Sequence, residues 1–140
     1  GGGDKTSLYK LILQLNITDS FQINEATTDI LKKYTESSIC ILSSRFEGFG
    51  MSIAEAMSCG IPVVSFNCPC GPRYIIRDGE DGILVEKGNV EQLADKICYL
   101  IENEHRRKEM GRKAHINIKR FETEQIMSQW IKLFEELLRI

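Results

Sequence analysis

The stretch Glu47-Gly48-Phe49-Gly50-Met51-Ser52-Ile53-Ala54-Glu55 holds two carboxylates with seven residues between them, across a loop with two glycines that opens a compact helix. A helix start leaves backbone amides without intrahelical acceptors and carries the positive end of the helix dipole. The amides of Gly48, Phe49, Gly50 and Met51 come free there and can face an anion. The glycines let a ligand approach the backbone. A diphosphate suits such a cradle. Carboxylates are poor partners for phosphate but good acceptors for sugar hydroxyls. Glu47, before the helix, can hold a hexose, and Glu55, one turn inside, the hydroxyls of a ribose. The pattern suits a nucleotide sugar.

Blander readings compete with this one. The helix dipole favours acids near a helix N-terminus without any ligand, and for an isolated pair of glutamates the two explanations weigh about the same. A hydrolytic acid/base pair needs both carboxyls on one scissile bond, which a loop residue and a helix residue do not readily share. Cys40, Cys59, Cys68, Cys70 and Cys98 are odd in number and irregularly spaced, so they read as reduced thiols. Cys68-Pro69-Cys70 is a close pair, but a zinc site wants about four ligands, and His105 and His115 lie far along the chain. Cys59 reads as a small buried residue rather than a nucleophile. Asp78-Gly79-Glu80-Asp81-Gly82 lacks the alternating ligands and closing glutamate of a calcium loop and reads as a tight turn.

The elements that carry this loop follow from periodicity. Leu8, Leu11, Ile12 and Leu15 form one face of a helix over Lys5 to Gln14. Ser20 to Asn24 reads as a short strand. A second helix starts near Thr28, with Thr27 or Thr28 as N-cap and a stripe of Ile30, Leu31 and Tyr34. Ile39-Cys40-Ile41-Leu42 is an apolar run suited to a strand buried on both faces. The compact helix runs from about Met51 to Ser58 and stops at Cys59-Gly60. Ile61 to Phe66 and Ile83 to Val85 are further strands, with a helical piece over Arg73 to Arg77 between them. Helices follow from Val90, with Leu93, Ile97, Leu100 and Ile101 inward, around Arg106 to Lys119, and from Thr123 to Leu138. Trp130, Leu133, Phe134 and Leu137 on the last helix read as packing residues. Alternating strands and helices specify an α/β fold, a Rossmann-like parallel sheet with helices on both faces.

With those residues in place, Glu47 to Gly60 followed by Ile61-Pro62-Val63-Val64 resembles the E-x7-E signature of the family-4 retaining glycosyltransferases of the GT-B fold. Tyr34 to Arg45 resembles the family's strand that ends in a serine before the first glutamate. Gly71 to Gly79 and Gly82 to Val85 resemble its G-P-x-E-I-I…D-G…G-x-L-V block, and Phe121 to Trp130 its closing helix. The matches cover nearly the whole chain in the family's order. The resemblance implies the C-terminal, donor-binding half of a GT-B fold, incomplete at its N-terminus. It implies that Glu47 contacts the donor sugar and is catalytic. Phe49, Gly50 and Met51 would lie against sugar and diphosphate, Ser52 near the phosphates, and Glu55 on the ribose. The base would stack near Gln22, Ile23 and Asn24. Transfer would be retaining and metal-independent, with no cofactor beyond a donor linked to UDP or GDP. Tyr74 departs from the pattern, since the family usually has an acid there. The Arg and Lys that grip the diphosphate in the family have no counterpart in this chain. The alternatives are a nucleotide-sugar epimerase of GT-B-like fold and a non-catalytic GT-B binding module.

The chain's 140 residues are 42% hydrophobic and 27% charged, as in an ordinary globular domain. We read residues 1–140 as one partial domain, with Gly1 to Gly3 a cloning remnant or a loop. The formal net charge of −2 excludes a general attraction to nucleic acid. No apolar run is long enough to cross a bilayer, and no leader precedes Asp4, so the expected location is cytoplasmic. Peripheral contact with the inner face of a membrane stays open through the charged run Glu102 to Lys113, although a solvated helix face explains that run better. The expected partners are a nucleotide sugar and a glycan or glycolipid acceptor held by a separate N-terminal domain. The closing helix, if bare, favours a homodimer.

Overall fold

The computed structural model describes residues 4–139. The expectation for Gly1 to Gly3 falls outside them. Helix α1 spans Lys5–Gln14 as expected, and the Asp4 carboxylate caps it by accepting from the Thr6 and Ser7 amides at 3.1 and 3.2 Å. Only Ile12 of its apolar stripe is buried. A 3-10 turn at Thr18–Ser20 follows. The strand expected over Ser20 to Asn24 does not form. Phe21 has extended dihedrals, but no strand of the described residues lies beside it. An extended segment becomes a strand only when a neighbour takes its backbone bonds. Helix α2 spans Ile30–Thr35, and its N-cap is Asp29, not Thr27 or Thr28. Asp29 accepts from the Lys32 amide at 3.4 Å, while the Thr27 hydroxyl accepts from the Asp29 amide at 3.0 Å. The threonine therefore orients the cap instead of forming it.

Strands β1 (Cys40–Leu42), β2 (Val63–Phe66) and β3 (Gly82–Val85) form a parallel sheet in the order β1-β2-β3. Cys40 pairs with Val63, and Val63 with Gly82. Helix α3 (Met51–Ser58) crosses from β1 to β2, and α4 (Pro72–Ile75) from β2 to β3. Helices α5 (Val90–Glu102) and α6 (Glu104–Asn117) follow, then a 3-10 turn at Ile118–Phe121 and α7 (Thr123–Leu138). The side chains of β2 alternate between two cores, as a pleated strand requires. Val63 joins Ile53, Met57, Ile75 and Ala114 on one face. Val64 and Phe66 join Leu93, Leu100 and Met110 on the other. Helices thus cover both faces, and β2 is buried along its length.

Three expectations fail on burial. Strand β1 is not buried on both faces: it is a sheet edge, and Ile41 is 48% exposed. Ile101 faces solvent rather than joining Leu93 and Leu100. No residue of α7 is buried, so Trp130, Leu133, Phe134 and Leu137 do not pack into the core. The Trp130 and Phe134 rings stack on each other with centroids 5.7 Å apart. Among the described residues no helix is long and apolar enough to cross a membrane.

Candidate functional site

The loop before α3 leaves the C-terminal end of β1, where parallel sheets of this kind present ligand sites. Gly50 takes φ +91°, a left-handed conformation open to glycine at little cost, and stands as N-cap of α3. No side chain caps this helix, so its first amides keep their capacity for an external acceptor. The loop after β2 closes against it. The Gly71 amide donates to the Gly48 carbonyl at 3.0 Å. A Cβ at Gly71, whose φ is +29°, would stand 2.7 Å from the Phe49 carbonyl oxygen and 3.1 Å from Glu47 Cβ. Only a residue without a side chain lets these two loops meet so closely. Pro72 then opens α4, where a missing amide hydrogen costs nothing.

Glu47 and Glu55 are both half-buried, one on each side of the helix start. Phe49 and Met51 expose their side chains, and Ser52 is half-buried. The Phe49 and Phe121 rings meet edge to face at a centroid distance of 5.5 Å. Phe121 in turn lies under the Arg120 guanidinium at 4.7 Å. Arg120 donates to the Ile75 carbonyl, and to the Asn117 carbonyl at 2.7 Å. Buried Asp81, 4.0 Å from Arg120, accepts from the Arg77 amide at 2.7 Å and from Asn117 Nδ2 at 3.0 Å. The tight turn at Asp78 to Gly82 thus anchors the element that props the Phe49 loop, and the sequence pattern by itself does not show this.

Glu55 has a partner that spacing does not reveal. The Tyr34 hydroxyl, on α2, donates to Glu55 Oε2 at 3.1 Å. Burial, then the bond to Glu55 and its negative charge, push the Tyr34 phenol up to about 12. A tyrosine on an apolar stripe was the available signal, because its polar tip needs a partner once buried. By contrast, Gln22, Ile23 and Asn24 lie in irregular chain, and no backbone hydrogen bond joins them to the loop before α3. Cys68 is buried and Cys70 exposed, and all five thiols are unpaired. Burial holds the Cys40 thiol above its usual range, away from a reactive thiolate. No three metal-ligating side chains converge among the described residues. A cavity of about 370 Å³ opens between β3, α5 and α6, lined by Leu84, Lys96, Tyr99 and Arg106. It is concave, but it lacks an open helix start and paired carboxylates, which makes the Glu47–Glu55 stretch the better candidate on chemical grounds.

The chain is thus a parallel α/β layer whose glycine-gated helix start, without a side-chain cap, lies between two half-buried glutamates. Comparison with known proteins gives its family. The family described as glycosyl transferases group 1 matches residues 1–117, and the chain belongs to that family. It is 36% identical over 138 residues to an exopolysaccharide phosphotransferase of Streptomyces coelicolor, covering 98% of this chain and 15% of that protein. It is 34% identical over 134 residues to a poly(ribitol-phosphate) alpha-N-acetylglucosaminyltransferase of Staphylococcus aureus, covering 95% of this chain and 27% of that protein. The crystal structure of Anabaena HepE in complex with UDP superposes with a TM-score of 0.86 at 26% identity, over 94% of this chain and 36% of that one. The chain therefore spans only a fraction of the length of these relatives, and the likeness confirms the GT-B type of α/β fold expected from the resemblance.

Proposed function

We propose that this chain forms the donor side of a glycosyltransferase, holding a nucleotide sugar while an acceptor glycan or glycolipid is held by another domain. The observation that carries the reading is the uncapped start of α3, gated by Gly50 and flanked by Glu47 and Glu55. In this reading the amides of Gly48 to Met51 and the side chain of Ser52 receive the diphosphate. Glu55 accepts from the ribose and Glu47 from the transferred sugar. A leaving diphosphate gains negative charge as the glycosidic bond breaks, and preoriented amides stabilise that charge at little reorganisation cost. The helix start thereby does work that a metal ion does in other transferases, and transfer proceeds with retention. UDP bound in the HepE crystal structure supports a uridine donor, with GDP as the second candidate.

The test is an amide-shift titration of labelled chain with UDP, GDP and ADP, joined to transfer assays of the full-length protein. We expect shifts clustered at Phe49 to Glu55. Glu55→Ala should weaken nucleotide binding, and Glu47→Ala should remove most transfer while sparing nucleotide affinity. Undiminished transfer by the Glu47→Ala protein overturns the reading. It would leave this stretch a non-catalytic GT-B binding module, with transfer carried by residues elsewhere in the full-length protein.

A further inference from the structure

Tyr34 occupies a position that α2 needs only for packing, and a leucine would serve that purpose. Its ring lies against the cluster of Ile53, Met57 and Val63. Its hydroxyl reaches over α3 to Glu55 Oε2 at 3.1 Å, with the Ser52 carbonyl oxygen at 3.3 Å. A phenol has one proton to give, and a carboxylate is the stronger acceptor of the two. A glutamate on a helix has several accessible rotamers, and choosing one costs side-chain entropy each time a ligand binds. Here that choice is made beforehand. The bond engages one carboxylate oxygen and leaves Oε1 for a ligand, on the side chain whose partner in the donor-site reading is a ribose.

We propose that Tyr34 is a positioning residue for nucleotide recognition: its hydroxyl holds Glu55 in the orientation that accepts the ribose hydroxyls. The inference rests on the donor-site reading and extends it to a residue outside the Glu47–Glu55 stretch. Its signature is selective. A lost ring would loosen α2 and weaken every ligand alike, whereas a lost hydroxyl affects only ligands that use Glu55.

The experiment measures dissociation constants of UDP, GDP and ADP and of their 2′,3′-dideoxy counterparts for the parent protein, Tyr34→Phe, Glu55→Ala and the double variant. For the ribonucleotide that the parent binds best, Tyr34→Phe should weaken binding about 3- to 10-fold, the scale of one hydrogen bond. Its 2′,3′-dideoxy counterpart, which offers Glu55 no hydroxyl, should bind as before, so the ribo-to-dideoxy preference shrinks. Added to Glu55→Ala, the same change should have no further effect. Equal losses for both sugars, an unchanged preference, or additive effects in the double variant overturn the inference. If Tyr34→Phe does not fold, the ¹³Cζ shift of Tyr34 in the parent decides: it should move with the ribonucleotide and stay still with the dideoxynucleotide, and the reverse sinks the idea. Should the parent bind none of the three, or Glu55→Ala bind as well as the parent, the donor-site reading itself falls. Should Glu55→Ala weaken binding while Tyr34→Phe does not, only the role of Tyr34 falls.

Discussion

Leu133 and Phe134 on α7 are as apolar as Ile53 and Met57 on α3, and both helices show a regular apolar stripe. Yet Ile53 and Met57 are fully buried, while Leu133 and Phe134 are 44% and 55% exposed. The difference lies in what stands opposite. α3 sits between the sheet, α4 and α6, whereas α7 meets only the 3-10 turn before it with more than passing contact. The same contrast holds for α1, whose Leu8 and Leu11 remain exposed although its ends and cap are well formed. A hydrophobic stripe specifies a helix and a face, but its stabilising free energy appears only when another surface covers it. The candidate site hangs entirely on the covered part of the molecule, between β1 and Phe121.

The contrast can be broken most directly at Ile53. Ile53→Ala should destabilise the chain by about 2–5 kcal/mol in urea unfolding, from lost burial plus a cavity that close packing cannot fill. A cost below about 1 kcal/mol would mean that the central layer is no better packed than the ends. Gly111→Ala comes next. Alanine favours a helix interior by about 1 kcal/mol over glycine, yet a Cβ at Gly111 would lie 2.1 Å from the Gly60 carbonyl oxygen. The clash should win and cost about 1–3 kcal/mol, and a stabilised Gly111→Ala protein would show that α6 does not sit this close to the end of α3.

A subtler effect concerns Tyr34, which ties α2 to the core. Its folded pKa of about 12 lies above the ordinary value of 10.0. The neutral phenol is the form the fold prefers, so its contribution is complete below pH 10.0 and fades as pH rises through about 12. Unfolding measured against pH should therefore show the parent's advantage over Tyr34→Phe constant below that window and shrinking within it. An advantage that grows in alkali would reverse the sign and refute the bond to Glu55. The smallest effect belongs to α7. Phe134→Ala should change stability by no more than about 0.5 kcal/mol, and a loss near that of Ile53→Ala would show that α7 is covered in solution.

Much of this arrangement is legible without coordinates, for identifiable reasons. The bounds of α1 and α7 follow from periodicity, and those of α3 from its loop and its Cys59-Gly60 stop, all of which are local. The Glu47–Glu55 stretch lands on a loop and a helix start because glycine-rich turns and small-residue helices have strong local preferences. Ser20 to Asn24 misleads because its apolar-polar alternation meets no neighbouring strand. Asp29 displaces the threonines as cap through a choice between adjacent oxygens that composition does not rank.

The sequence by itself determined the class of fold, the order of its elements from Ile39 onward and the glycine-gated pair of glutamates, since each depends on residues near one another along the chain. Only the tertiary structure decided that Gly71 clamps the loop from the next crossover, that Phe121 props Phe49, that Tyr34 holds Glu55, and that α1 and α7 stay bare. Those outcomes depend on pairs far apart in sequence, where side-chain reach, backbone approach and the presence of a covering surface are set by how the elements pack.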